Sequence, residues 1–383
     1  MTRLLLFTGK GGVGKTTLAA ATAAGLAARG HKTLVVSTDP AHSLGDAFAR
    51  RLTPEPAEVD HALYGAQVDP RGLVDGVWQD LRGKLRSWIA GAGLDALEAE
   101  ELTVLPGVDE LLALTEVQRL AETGRWHTVV VDCGPTAETL RLLALPEAVS
   151  GYLDRMFGLQ SVFAGRGTAQ AVRRLAAHLE SLKSLLADPG TTGVRLVLTP
   201  ERVVVAEARR TLSALALRGI RVDGLVVNRL MPAARGWRGA GASWIRARRR
   251  QQDEVLAELA ASGLAGFARV EHRAVEPVGL PALLEIAQEL YGDGDPLLGV
   301  GSDPAPPLLE VSEVDGGYRL RVSVPLGRDA AVELARVDDD LSITVDGFRR
   351  LVALPERLRS CRITGAESSP HGLVVSFTGE GQR

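Results

Sequence analysis

Gly9-Lys10-Gly11-Gly12-Val13-Gly14-Lys15-Thr16 is the stretch on which the reading of this chain turns. It satisfies G-x-x-x-x-G-K-[ST], a pattern whose glycines let successive backbone N–H groups converge on phosphate oxygens. The pattern predicts that Lys15 neutralises phosphate charge and that the Thr16 hydroxyl joins the coordination of Mg²⁺. The amino end of the following helix adds its positive dipole end. The flanking sequence has the required form. Arg3–Phe7 is a short apolar run, Lys15–Arg29 is Ala/Leu-rich with helical character, and Gly30 ends it. Thr33–Ser37 is a second β-branched run, so these residues form a βαβ unit and imply a parallel sheet.

Further along, Thr128–Val131, Val194–Leu198 and Gly224–Val227 are apolar enough to be strands buried on both faces. Between them Gly72–Leu97, Val108–Glu122, Thr168–Ala187 and Val203–Arg218 carry helical periodicity. The pattern predicts an α/β fold: a doubly wound, mostly parallel P-loop sheet with helical insertions over residues 1–292. Residues 293–307 lie in a stretch rich in Gly, Pro and Asp and read as a linker. Beyond it the period changes to two: Tyr318, Leu320, Val322 and Val324 alternate with Arg319, Arg321 and Ser323, and Leu341, Ile343 and Val345 alternate with polar neighbours. With Asp315-Gly316-Gly317 as a hairpin turn and Gly372–Phe377 as a last strand, residues 308–380 read as a small β-sandwich.

Composition excludes several classes. The 383 residues are 45% hydrophobic and 24% charged with a net charge of −3, so there is no overall drive toward nucleic acid. No apolar run approaches the roughly 18–20 residues of a membrane span, and Leu4–Phe7 is too short for a secretory signal. A cytoplasmic protein is expected. Cys133 and Cys361 are the only cysteines, which rules out a Cys-x-x-Cys zinc site or a thiol cluster within one subunit. Of 44 basic residues only five are lysines, yet two of them, Lys10 and Lys15, fall inside the glycine loop.

Lys10, placed just after the first loop glycine, makes the loop resemble the "deviant" P-loop class, which includes partition ATPases, nitrogenase iron protein and the arsenite-pump and tail-anchored-protein-targeting ATPases. The resemblance implies that Lys10 reaches across a twofold homodimer to the partner's nucleotide, as an arginine finger would. Nucleotide contacts are expected at Gly9, Lys10, Gly11, Gly12, Val13, Gly14, Lys15, Thr16 and Thr17. Ser37-Thr38-Asp39-Pro40-Ala41-His42-Ser43-Leu44-Gly45-Asp46 is similar to the first switch of the arsenite-pump/tail-anchored-targeting family, which implies that Asp39 orients or deprotonates the attacking water. Capping of the next helix is the plainer role for that carboxylate. Catalysis is therefore assigned to Asp39, Lys10 and Lys15. Asp132, at the end of an apolar run, is placed as the aspartate that holds Mg²⁺ through water, beside Thr16. Asn228, ending another strand, matches the family's adenine-binding asparagine.

About 290 residues carry this resemblance, with two departures. Ala137 and Glu138 stand in the second switch where the family has Gly and His, which leaves open a module that binds nucleotide and barely hydrolyses it. The thiols of arsenite pumping and of the zinc-joined targeting dimer are missing. ATP and Mg²⁺ are the implied cofactors, with no zinc. The implied function is an ATP-hydrolysing switch that gates a groove for a hydrophobic client or tail-anchor helix, with Leu153, Met156, Phe157, Leu159, Val162 and Phe163 as candidate lining. A metalloid-efflux ATPase lacking the thiol site is one alternative. A partition-type ATPase that uses the Arg235–Arg250 stretch, with Trp237 and Trp244, on DNA or an anionic surface is the other. Arg349–Pro355 and Gly372–Phe377 make the C-terminal segment similar to an α-crystallin (small heat-shock protein) domain, with an unrelated sandwich as the plainer possibility.

Overall fold

A computed structural model describes residues 2–39, 43–68, 108–134, 177–178, 180–233, 238–261, 266–298, 309–314, 317–324, 326, 330–369 and 372–378. The elements run β1 (Arg3–Thr8), α1 (Lys15–Ala28), β2 (Thr33–Ser37), α2 (Ser43–Phe48), β3 (Ala57–Asp60), β4 (Leu63–Gln67), α3 (Val108–Glu122), β5 (Thr128–Asp132), β6 (Thr192–Leu198), α4 (Arg202–Leu217), β7 (Val222–Leu230), α5 (Ala240–Ala261), β8 (Phe267–Glu271) and α6 (Leu280–Tyr291). The C-terminal segment adds β9 (Leu309–Val314), β10 (Gly317–Val322), β11 (Val332–Val337), β12 (Asp340–Val345), β13 (Phe348–Ala353), α7 (Glu356–Arg359), β14 (Arg362–Ser369) and β15 (Gly372–Thr378). The predicted helix Gly72–Leu97 lies outside the described residues, as does most of Thr168–Ala187, of which 180–187 is helical.

The chain divides into two compact units, Met1–Thr8, Thr16–Thr192 and Val278–Leu284 forming one, and Gly9–Lys15, Gly193–Pro277 and Glu285–Arg383 the other. The first carries the strand run β3-β4-β2-β5-β1, parallel except at β3, and the second the parallel run β6-β7-β8. β2, β5 and β6 are buried at every position, which is why their sequences do not alternate apolar with polar, although β6 carries the buried Arg195. The short edge strand β3 pairs antiparallel with β4, a pair with no sequence signal strong enough to read beforehand. Register matters for the site. β5 aligns Asp132 with Phe7 of β1 and with Ser37 of β2, and β2 aligns Ser37 with Gln67 of β4. Three polar residues thus emerge together at the carboxyl ends of parallel strands, where such sheets bind ligands.

In the second unit, the alternation read at Tyr318–Val324 and Leu341–Val345 builds two small antiparallel sheets, β14-β15-β10-β9 and β11-β12-β13. Leu320, Val322, Val324, Leu341, Ile343, Val345, Val375 and Phe377 fill the space between them. The end of α4 also enters that core: Leu217, its last residue, is buried within it, and Ala216 packs against it. Arg218 follows with its guanidinium 5.7 Å from the centre of the Phe348 ring.

Residues 293–298, the start of the stretch read as a linker, are tied down. The fully buried Arg195 of β6 donates to Tyr291 Oη at 2.6 Å and to the carbonyls of Pro296 and Leu298 at 2.5 and 3.0 Å. Its Nε lies 3.6 Å from Asp223 Oδ1. Replacing Arg195 by Met strands those acceptors, and a loss of about 2 kcal/mol in stability is expected, with faster proteolysis after Tyr291. An unchanged urea midpoint and cleavage rate would contradict this account of the clamp.

Candidate nucleotide site

Gly9–Lys15 belong to one unit, and Thr16, Ser37, Asp39 and Asp132 to the other. In the loop half, Gly9 has φ +148°, Gly12 +78° and Gly14 +94°, conformations that L side chains rarely adopt. Two of these glycines also serve close approach. A Cβ on Gly9 would lie 2.2 Å from the Val197 carbonyl oxygen, and one on Gly14 would lie 2.3 Å from Asn228 Nδ2. Lys15 is buried, and its ammonium donates to the Lys10 carbonyl at 3.2 Å. A buried ammonium with three donors, one of them on the Lys10 carbonyl, is chemically suited to an anion, since burial raises the cost of leaving its charge uncompensated.

Asn228 sits at the end of β7 and donates through Nδ2 to the Val13 carbonyl at 2.9 Å. Within this chain it ties the strand end to the phosphate loop. Arg229 follows in the left-handed region at φ +58°, a strained conformation for an arginine. Buried Gln252 of α5 supports the turn, donating to the Arg229 carbonyl and accepting from the Met231 N–H.

In the other half the carboxylate of Asp132 is fully buried. Its Oδ2 accepts from the Thr16 hydroxyl at 2.8 Å and from the Ser37 hydroxyl at 3.0 Å. The Ser43 hydroxyl lies 3.1 Å from that of Thr16. Thr38 joins the two switch segments: its N–H donates to the Asp132 carbonyl at 2.9 Å, and its hydroxyl accepts from the Gly134 N–H at 3.3 Å. Asp39 is placed by its backbone. Its N–H donates to Ser37 Oγ, and its carbonyl accepts from Gln67 Nε2 at 2.8 Å. A hydroxyl and a buried carboxylate side by side form an all-oxygen donor set, which fits Mg²⁺ rather than a soft metal.

Ser37, Thr38 and Ser43 lie within the first-switch sequence, yet nothing local assigned them a role; Gln67 carried no signal at all. For Ser37 and Gln67 the signal is register, since a polar residue at the end of one buried strand faces its counterpart on the next. His42, the second-switch residues from Pro135 onward and the groove candidates at 153–163 lie outside the described residues. In the Arg-rich helix α5, Arg248 pairs with Glu201 at 2.8 Å and Arg249 with Asp253 at 3.0 Å, which leaves less free charge than the sequence alone suggests. Among the described residues no helix is long and apolar enough to cross a membrane.

Residues 2–292 match the family model of anion-transporting ATPases, ArsA type. The chain belongs to that family. A second model, the HSP20-like domain found in ArsA, matches residues 315–377, in agreement with the two small antiparallel sheets. Among similar proteins, Protein Rv2184c of Mycobacterium tuberculosis is 37% identical over 98% of this chain and 96% of its own length. A protein of Chlorobaculum tepidum, named as a candidate arsenical pump-driving ATPase, is 30% identical over 99% of this chain and 97% of its own. ATPase GET3A of Arabidopsis thaliana is 32% identical over 58% of this chain and 65% of its own. This ArsA-family chain is an ATPase.

Proposed function

We propose that the chain works as a homodimeric switch that binds Mg-ATP over Gly9–Thr17, hydrolyses it with Asp39 as the water-orienting residue, and uses the cycle to hold and release a hydrophobic client. The observation that carries this reading is the hydroxyl–carboxylate cluster of Thr16, Ser37 and Asp132, extended by Thr38. It joins the end of the phosphate loop to the beginnings of both switch segments, so a change at the γ-phosphate alters contacts in both. Thr16 and Asp132 would hold Mg²⁺, the latter through water. The metal would neutralise charge building on the β- and γ-phosphate oxygens. Lys15 binds those oxygens from inside the loop. Asn228, which anchors Val13, is proposed to meet the base. Lys10 is proposed to serve the nucleotide of a second copy, which agrees with its half-exposed side chain. The ATPase domain is taken as 1–292, the linker as 293–307 and the sandwich as 308–380.

The printed name of one relative favours a second reading, in which the ATPase drives metalloid efflux. Both cysteines are buried and they are 228 positions apart in sequence, a poor basis for a thiol site within one subunit. The test is capture of a fluorescent peptide carrying an apolar helix of about 20 residues, the length of a membrane anchor. Binding that differs at least about tenfold between ATP and ADP supports the switch, and equal binding, or none, overturns the client role. Lys10→Ala is expected to stay folded and to lose ATP-dependent self-association in analytical ultracentrifugation. Retained association would remove Lys10 from the dimer's nucleotide contacts.

A further inference from the structure

Lys10 has a partner within its own chain. Its Nζ lies 3.0 Å from Glu207 Oε2, the two side chains being 41% and 37% exposed. Glu207 belongs to none of the motifs. It stands on α4, a helix held at several points. At the amino end the Glu201 carboxylate accepts from Arg248 of α5 at 2.8 Å and from the Thr199 hydroxyl. Along the shaft Val205, Ala208 and Leu212 pack in one core with Val255, Leu256 and Leu259 of α5. At the carboxyl end Leu217 is buried in the sandwich core. The carboxylate therefore stands on a fixed support, whereas Lys10 lies on a loop between two glycines. The helix places the lysine, not the reverse.

We infer that Glu207 is a positioning residue for Lys10, holding its ammonium against the parent chain and so competing with a nucleotide on a second copy for the same charge. A lysine paired with a carboxylate brings no net charge to a polyphosphate, so it acts in trans only once that pair opens. A half-exposed ion pair is weak, which makes Glu207 a bias and not a lock, with an expected effect of about three- to fivefold. Because α4 ends inside the sandwich, a shift of that domain would move the carboxylate. The inference rests on the proposal that Lys10 serves a second copy, and its test separates the two.

The full-length chain is compared with Glu207→Gln, Glu207→Asp, Lys10→Ala and the Glu207→Gln/Lys10→Ala double variant, measuring ATP-dependent self-association in low and high salt. Glu207→Gln is expected to tighten association about three- to fivefold, an effect lost in the Lys10→Ala background and reduced by salt. Glu207→Asp, which keeps the charge, is expected to return toward the parent. An equal gain with and without Lys10 would overturn the inference, since the glutamate would then act by another route. No gain from Glu207→Gln, where Lys10→Ala alone abolishes association, would overturn it and leave the dimer reading standing. If Lys10→Ala has no effect, both fall together.

Discussion

Asp39→Asn is expected to retain ATP affinity and lose turnover by at least about 100-fold, equivalent to about 2.7 kcal/mol of barrier. The backbone at this position is fixed independently of the side chain, by Ser37 Oγ on the amide and by Gln67 Nε2 on the carbonyl. An asparagine of the same shape therefore leaves the turn intact and removes only the charge and the proton-accepting oxygen. Since Lys15, Thr16 and Asp132 are unchanged, ground-state binding should persist, and the loss should fall on kcat and kcat/KM alike. Phosphate release at saturating ATP, with affinity measured by calorimetry, decides it. Turnover at the parental rate would overturn the assignment; a loss of affinity with turnover intact would make Asp39 a binding group instead.

Gly9→Ala and Gly11→Ala are expected to have opposite outcomes although both change one glycine of the same motif. At Gly9 the φ of +148° is nearly closed to alanine, and the added methyl meets backbone, 2.2 Å from the Val197 carbonyl oxygen. A carbonyl within a buried parallel strand cannot step aside without disturbing its ladder. Strain and clash together predict a loss of about 4 kcal/mol or more, enough to leave much of the chain unfolded near body temperature. A Cβ on Gly11 meets nothing within 4 Å, and stability should change by less than about 0.5 kcal/mol. Thermal melts without nucleotide separate the two. Similar melting temperatures would mean that Gly9 is kept for phosphate access alone and not for its approach to β6.

Much of the fold was legible because its signals are local. Thr33–Ser37 was bounded correctly from its β-branched run, and α3 from its helical period. The two-residue alternation announced the C-terminal sandwich. β3 and β4 went unread because an edge pair of four and five residues leaves too few positions for a period to emerge. In the site, Lys15, Thr16 and Asp132 were readable from spacing. Ser37, 95 residues from Asp132, and Gln67, 28 from Asp39, were not, because hydrogen bonds at such separations depend on strand register. Asn228 is proposed from its place in the order of strands, while its contact with Val13 came only from the folded chain.

From its residues alone this chain is determined to be a glycine-loop ATPase with an appended β-sandwich, because periodicity and motif spacing act over a few residues and survive without knowledge of neighbours. What the tertiary structure decided is partnership: Lys10 meets Glu207, Arg195 holds the stretch after α6, and Leu217 enters the sandwich core. Those pairings are set by which elements pack together, a property of the whole chain's burial of apolar surface that no local pattern encodes.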